Sequence, residues 1–411
     1  MVEGGPVPSL VRRWRELGSD GQVRLESVDL WMLELPFVET VTTATHQHRR
    51  RPLVIVRLVA SSGNGPIEGW GECAALAESR YDPEDVHRSF DTLEGTLLPS
   101  LEVGFGTARS LPELAALDGL RQAVPEAPMA FATLEMAVAD AHLRAQGRSL
   151  AALLGVESRT VPIGAVLGLM PSEGALVDRV TSLAEQGFSR VKLKIRPGWD
   201  MSPLEAVSRA LPSMRLQVDA NGSYSKDDLD QLAELDRFRL LCLEQPFDPH
   251  DSDDPDGLTA HARLAACIRT PICLDESVRS RQDIAHALAL GSCSVVCLKP
   301  ARLGGLGQAL AEVERCAADG TPLWMGGMFE SGYARGVNRT LAALPGFSWP
   351  GDLSPARTYL AADLVAPPEL TRAGETAELE ACLPLGPGMG EPPRFDVVTR
   401  LAVRHALIVP P

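Results

Sequence analysis

The sequence predicts an α/β protein: a closed barrel of alternating strands and helices, preceded by a smaller α+β unit. Three observations predict this. From about residue 160, short apolar runs fall at 161–169, 191–195, 215–219, 240–244, 271–275, 294–299 and 322–326, separated by amphipathic stretches such as SKDDLDQLAEL and RQDIAHALALG. That strand–helix alternation is the signature of a parallel sheet, and seven or eight such units close most economically into a (β/α) barrel. An open doubly wound sheet, the alternative, would carry a glycine fingerprint after its first strand, and this sequence has none there. The second observation is that consecutive runs end on charge: Lys194, Asp219, Glu244, Asp275 and Lys299. The third is a change of texture before residue 120, where strand-like segments follow one another without intervening helices.

Taken in order, residues 1–24 lack the apolar core of a signal peptide and are expected to be a short extension with one amphipathic turn near Leu10–Leu17. Residues 25–150 form the α+β unit. RLESVDLWMLELPF, RPLVIVRLVA and IEGWGECAAL read as strands, the last two joined by the turn signal SSGNG. The run AFATLEMAVADAHLRAQG reads as a helix stopped by Gly147. Residues 151–352 hold the barrel. The tail, 353–411, passes through LPLGPGMGEPP to the strand-like FDVVTRLAVRHALIV and is expected to pack back on the N-terminal unit.

Composition narrows the function. The chain of 411 residues carries a net charge of -15, which argues against a nucleic-acid binder, whose footprint is a basic face. No stretch approaches the roughly 18 apolar residues of a membrane span. The eight cysteines include no C-x-x-C pair, Cys293 and Cys297 being the closest, so a zinc site or disulfide framework is not expected. A cytoplasmic protein without membrane partners is the expectation.

The chemistry gathers at the strand ends, where a barrel of this type carries its active site. In VKLK, Val191 and Leu193 fall on one face and Lys192 and Lys194 on the other. Inward-facing lysines are explained if the barrel interior is the active site. Asp219, Glu244 and Asp275 would repel one another unless a cation sat among them, and all-oxygen ligands suit Mg²⁺ or Mn²⁺. Lys194 precedes the three acids and Lys299 follows them, so a carboxylate substrate would meet an amine on either face. Removing a proton α to a carboxylate makes an enediolate, whose charge a divalent cation stabilises. Lys194 is then the expected base and Lys192 its tuner and a carboxylate contact, with the lysine pKa lowered to roughly 7–8. Alternation places Cys242, Cys273, Cys297 and Gln217 one layer beneath the charges, Asp275 inward and Glu276 outside or behind the metal ligands.

At these residues the sequence resembles the enolase superfamily, in its muconate-lactonizing-enzyme subgroup, and within it the o-succinylbenzoate synthase and N-acylamino-acid racemase family. The resemblance rests on GWGEC, LEMAVADA, VKLKIRPGWD, LQVDAN, EQP, TPICLDES, LKPARLGG and GGMFESG, and it covers nearly the whole chain from about residue 25. Superfamily sites of this kind use a lysine or histidine base with Mg²⁺. The resemblance implies a modified (β/α)7β barrel under an α+β cap completed by the C-terminal tail, with Mg²⁺ on Asp219, Glu244 and Asp275. It implies Lys194 and Lys299 as the acid–base pair. Lys192 and Asn221 are implied near the substrate; Val166, Met328 and Glu330 are expected there too, Glu330 as a contact, as the orienter of a lysine or as a hydrogen-bonding support behind the contact residues. Racemisation would use both lysines; syn elimination of water to succinylbenzoate would use one base, the other ammonium stabilising the enediolate. Relatives by analogy are homo-oligomers.

Two positions depart from the family pattern. Thr42 stands in the capping loop where the family carries an arginine, and Val166 stands on the first barrel strand where a serine is expected. Both should face the acyl group, so these departures keep dipeptide epimerisation and cycloisomerisation open beside the succinyl reactions. A Schiff-base aldolase on Lys299 and a non-catalytic carboxylate binder are the competing classes. His46 and His48 read either as loop-borne substrate contacts or as solvated side chains, and Arg49–Arg51 either as an attractor for an anion or as a solvated edge. DSDDPDG is no EF-hand, because aligning Gly257 puts Arg263 where the bidentate glutamate belongs. LGGLG reads as a tight turn.

Overall fold

The computed structural model describes residues 9–19, 23–42, 47–79, 81–103, 110–250, 254, 257–373 and 378–409. His46 lies outside them, as do residues 1–8, 20–22 and most of the DSDDPDG loop; His48 is described in its backbone alone.

Three strands open the chain, β1 (Arg24–Thr42), β2 (Gln47–Ser62) and β3 (Gly65–Cys73), pairing antiparallel. Ser62 pairs with Gly65, so Gly63 and Asn64 make the two-residue hairpin loop that SSGNG signals. The helix Pro128–Ala145 lies across β2 and β3 with every residue from Met129 to Leu143 buried. Its close approach needs glycine. A Cβ on Gly71 would lie 2.1 Å from the Thr133 carbonyl oxygen, and one on Gly69 2.3 Å from that of Ala137.

The apolar run 161–169 serves two sheets. β4 (Thr160–Pro162) leaves the barrel, and β5 (Ala165–Leu167) begins it. Then follow β6 (Arg190–Lys194), β7 (Arg215–Asp219), β8 (Leu243–Glu244), β9 (Ile272–Leu274), β10 (Val295–Leu298) and β11 (Leu323–Met325), seven parallel strands in chain order. The segment 347–352 closes the ring. Phe347 bridges Leu323 and Gly351 bridges Ile163, while Asp352 N–H donates to the Met325 carbonyl at 2.8 Å. This is the modified (β/α)7β barrel under an α+β cap.

The tail divides between the two halves. β12 (Leu370–Ala373) and β13 (Glu378–Cys382) form a three-stranded sheet with β4, and β14 (Ala402–Ile408) pairs antiparallel with β1 at the edge of the cap sheet. The expected single strand at 395–409 is corrected in its first half. Phe395–Leu401 is a helix, burying the adjacent pair Val397 and Val398 against the cap. The extension also docks: Leu10–Arg15 is helical, and buried Trp14 donates to Glu135 at 3.1 Å. Among the described residues no helix is long and apolar enough to cross a membrane.

Buried polar groups join cap to barrel. Glu72 of β3 accepts from the N–H and hydroxyl of Ser331, capping the barrel helix Gly332–Ala342. Glu135 accepts from the N–H groups of Leu306 and Gly307, capping Leu306–Asp319. The LGGLG segment makes the turn into that helix, with Gly304 and Gly305 at φ +85° and +107°. Arg51, 1 % exposed, donates to the carbonyls of Pro52, Ala74, Ala75 and Phe329. It is therefore neither solvated edge nor anion attractor, since carbonyl oxygens of both halves take its N–H groups.

Candidate active site

Successive parallel strands place equivalent positions side by side, so the register determines what the strand ends bring together. Lys194 pairs with Asp219 and Asp219 with Glu244, while Glu244 is level with Cys273, two residues before Asp275. Asp219, Glu244 and Asp275 are all buried. The layer beneath is as the alternation predicts: Cys242, Cys273 and Cys297 pack with Val295 and Trp324 in a cluster of their own, separate from the main core.

Each acid meets a cation. Lys194 Nζ lies 2.6 Å from Asp219, Lys192 Nζ 2.9 Å from Glu244 and 2.7 Å from Asp352, and Lys299 Nζ 2.7 Å from Asp275. Arg302 pairs with the other oxygen of Asp275, and the Tyr81 hydroxyl, reaching down from the loop after β3, bridges Asp275, Lys299 and Arg302. Burial alone would raise both aspartates; Arg302 and Lys299 override it at Asp275, and Lys194 and Lys192 at Asp219, holding both below the usual carboxylate range. Glu244 is pushed up to about 7, by burial first and then by Asp219. Burial lowers Lys192 and Lys299, but Asp352 and Glu244 for the one, and Asp275 for the other, hold them well above the normal lysine value.

Second contacts fix these groups. Asn221, at φ +44°, donates its N–H to Asp219 at 3.0 Å and its amide to Glu276 at 3.1 Å. Gln245 of EQP accepts from the N–H groups of Asp275 and Ser277, holding the end of β9. Gln217 donates to Glu244 at 3.1 Å. The donor set fits a hard divalent cation: three buried carboxylates on adjacent strand ends, and a Glu244 Oε1 with no hydrogen-bond partner. Among the described residues, the trio whose ligand atoms lie within 4.8 Å of one another is Glu244, Asp275 and Cys297, while Asp219 is paired with Lys194.

A cavity of about 960 Å³ opens above, lined by Lys192, Lys194, Asp219, Asn221, Asp275 and Lys299 from the barrel and by Val38, Thr42, Leu76 and Tyr81 from the cap. Val166 and Met328 line it too, and Thr42 is tied to the first barrel strand's loop by the Leu169 N–H. Phe329, at φ +55°, adds an apolar wall with Phe37 and Tyr359. One expectation is corrected. Glu276 lines the cavity, because β9 ends at Leu274 and alternation no longer governs the residues beyond it. Of the roles open to Glu330, its partners match the supporting one: its oxygens are taken by Arg335 at 2.7 Å and Asn338 at 3.0 Å, so it reaches the cavity through Arg335 and orients neither lysine.

Sequence reasoning missed Tyr81, Arg190, Arg302 and Asp352. Arg190 shares the inward face of β6, so periodicity carried a signal for it; Arg302 lies in the turn after β10, where no period applies. Tyr81 lies in a loop of the cap and has no such signal.

Comparison with known proteins matches residues 24–155 to the mandelate racemase / muconate lactonizing enzyme N-terminal domain and residues 175–397 to the enolase C-terminal domain-like family. An N-succinylamino acid racemase from an Amycolatopsis species is 39 % identical over 90 % of this chain and 95 % of its own length. An o-succinylbenzoate synthase from Geobacillus stearothermophilus is 34 % identical over 93 % of this chain and 96 % of its own. A solved enolase-superfamily structure from Listeria innocua superposes with a TM-score of 0.84 at 31 % identity, covering 95 % of this chain and all of that one.

Proposed function

Because the chain belongs to the enolase superfamily, in its mandelate racemase / muconate lactonizing enzyme branch, we propose that it is a metal-assisted enzyme removing a proton α to a carboxylate. It would act as an N-acylamino-acid racemase, an o-succinylbenzoate synthase, or both. The relatives named for those two reactions support the substrate class. The observation that carries the reading is the pair Lys194 and Lys299, at the ends of β6 and β10, facing one cavity with three carboxylate-bearing strands between them.

In racemisation one lysine takes the α-proton and the other returns a proton from the opposite face. In syn elimination one lysine serves as base and passes the proton to the leaving hydroxyl, while the second ammonium faces the developing negative charge. Lys192 and Asn221 position the carboxylate end. Val166 and Met328 bound the acyl end, and Glu330 acts through Arg335. Asp219, Glu244 and Asp275 would hold a divalent cation, Mg²⁺ with Mn²⁺ as the alternative, which when bound supplies positive charge to the substrate carboxylate.

Proton NMR in D₂O tests this with N-succinyl amino acids, Mg²⁺ and the Lys194→Ala and Lys299→Ala variants. Wild-type protein should wash out the α-proton and lose that ability with EDTA. Each variant should lose exchange from one enantiomer far more than from the other. Exchange untouched by both substitutions would remove the lysines from the mechanism. Formation of succinylbenzoate from its hydroxylated precursor, without exchange of any N-acyl amino acid, would assign the elimination alone.

A further inference from the structure

The acid cluster is not purely an oxygen site. Cys297, on β10, sits two residues before Lys299, and its sulfur lies within 4.8 Å of ligand oxygens of Glu244 and Asp275. One further feature points to a ligand there: Glu244 is fully buried, yet its Oε1 has no hydrogen-bond partner. Gly326, just past β11, lets Cys297 and Lys299 pack directly on its backbone, since a Cβ there would lie 2.5 Å from the Cys297 sulfur and 2.8 Å from Lys299 Cε.

We propose that Glu244, Asp275 and Cys297 form a site for a thiophilic divalent cation, Zn²⁺ or Cd²⁺, overlapping the proposed Mg²⁺ site but seated one layer deeper in the barrel. Mixed carboxylate–thiolate sets suit zinc-like ions, whereas Mg²⁺ keeps to oxygen. On binding, the Cys297 S–H bond breaks, a sulfur–metal bond forms, the proton leaves to solvent and no electron is transferred. Asp219 stays with Lys194. Since Glu244 and Asp275 are shared, a bound Zn²⁺ or Cd²⁺ excludes Mg²⁺, and the protein would be shut off by thiophilic ions in proportion to Mg²⁺ depletion. The inference rests on the metal-site reading above, and the two can fail separately.

The test is a titration of the whole protein with CdCl₂, following the ultraviolet thiolate-to-cadmium charge-transfer band, with Mg²⁺ binding measured by calorimetry alongside. The wild type should develop a band saturating at one ion per chain. Cys267→Ser, which removes an exposed thiol, should keep it, Cys297→Ser should lose it, and excess Mg²⁺ should reverse it. A band that survives Cys297→Ser overturns the proposal, as does one that excess Mg²⁺ leaves intact in protein whose Mg²⁺ binding calorimetry records. Should Cys297→Ser fail to fold, Gly326→Ala, whose methyl must displace the Cys297 sulfur, should weaken Cd²⁺ at least tenfold more than Mg²⁺; equal weakening overturns the proposal. Mg²⁺ binding without a cadmium band sinks this inference alone. A Cys297-dependent band with no Mg²⁺ binding counts against the proposed function instead.

Discussion

Lys192 faces three carboxylates, at 2.7 Å from Asp352, 2.9 Å from Glu244 and 3.5 Å from Asp219. Two of these are proposed metal ligands, so the ammonium competes with a cation for the same oxygens. Asp352 is the acceptor that remains when the cation enters. Its other oxygen is held by Arg190, which also reaches Gln217 and lies over the ring of Trp324. Neutralising Asp352 leaves two buried cations without their shared partner, a loss that typically costs roughly 3–5 kcal/mol. Asp352→Asn should therefore lower the urea unfolding midpoint by the equivalent of that cost. It should also weaken Mg²⁺ binding about tenfold, in line with outer-sphere substitutions elsewhere, because Lys192 would then rest on Glu244 and Asp219. Calorimetry with Mg²⁺ and no substrate reads the second effect. Unchanged affinity would show that Lys192 does not contest the site.

At the scale of elements, the barrel strands were legible wherever a run was long enough for alternation to set the inward face. Lys192, Lys194, Asp219 and Glu244 are so placed, Lys299 stands one residue past β10, and the three cysteines beneath them follow from the same period. Glu276 was misplaced because β9 stops two residues earlier. Asp352 was missed because the eighth strand is reduced to isolated bridges around Phe347 and Gly351, too short to carry a pattern. Tyr81 reaches Asp275 from 194 residues away through a loop, a contact no local pattern encodes. The glycines of GWGEC have a tertiary reason that no local pattern carries: helix Pro128–Ala145 lies directly on β3. Adding a methyl at residue 71 must push that helix off the strand, since the obstacle is the Thr133 carbonyl and not a movable side chain. Gly71→Ala should destabilise the protein by at least 1–3 kcal/mol, the usual cost of overpacking. Because β3 leads directly into the loop of Tyr81, it should also weaken substrate binding. A stability loss below about 0.5 kcal/mol would mean the helix and strand separate freely.

For the whole molecule, the cap and barrel are joined by carboxylates withdrawn from water, and this couples stability to pH in an unusual direction. Burial raises Glu72 and Glu135, which cap barrel helices, to about 7, and does the same to Glu84, which accepts from Met129 and Ala130 N–H groups within the cap. An unfolded glutamate titrates near 4.5, so between 4.5 and 7 the folded chain holds protons that the unfolded chain has released. Stability then falls as pH rises through that window and levels off above it. From pH 8 to pH 6.5 each group should add roughly 0.5–1 kcal/mol. Below 6.5 His261 works the other way. Burial lowers it to about 4, its Nδ1 donating to the Gly257 carbonyl and its Nε2 accepting from Phe247 N–H, so acid favours the unfolded chain there. Glu244 and Glu276, raised to about 7 and 8, add to the slope of the metal-free protein. The informative quantity is therefore a difference between variant and wild type. Urea unfolding at pH 8.0 and 6.5 should show the wild type gaining stability on acidification. Glu135→Gln, which keeps an oxygen acceptor for Leu306 but cannot titrate, should gain less by its own share. Equal gains in both proteins would show that Glu135 stays ionised across the junction, its charge held by Trp14 and the helix N-terminus it caps.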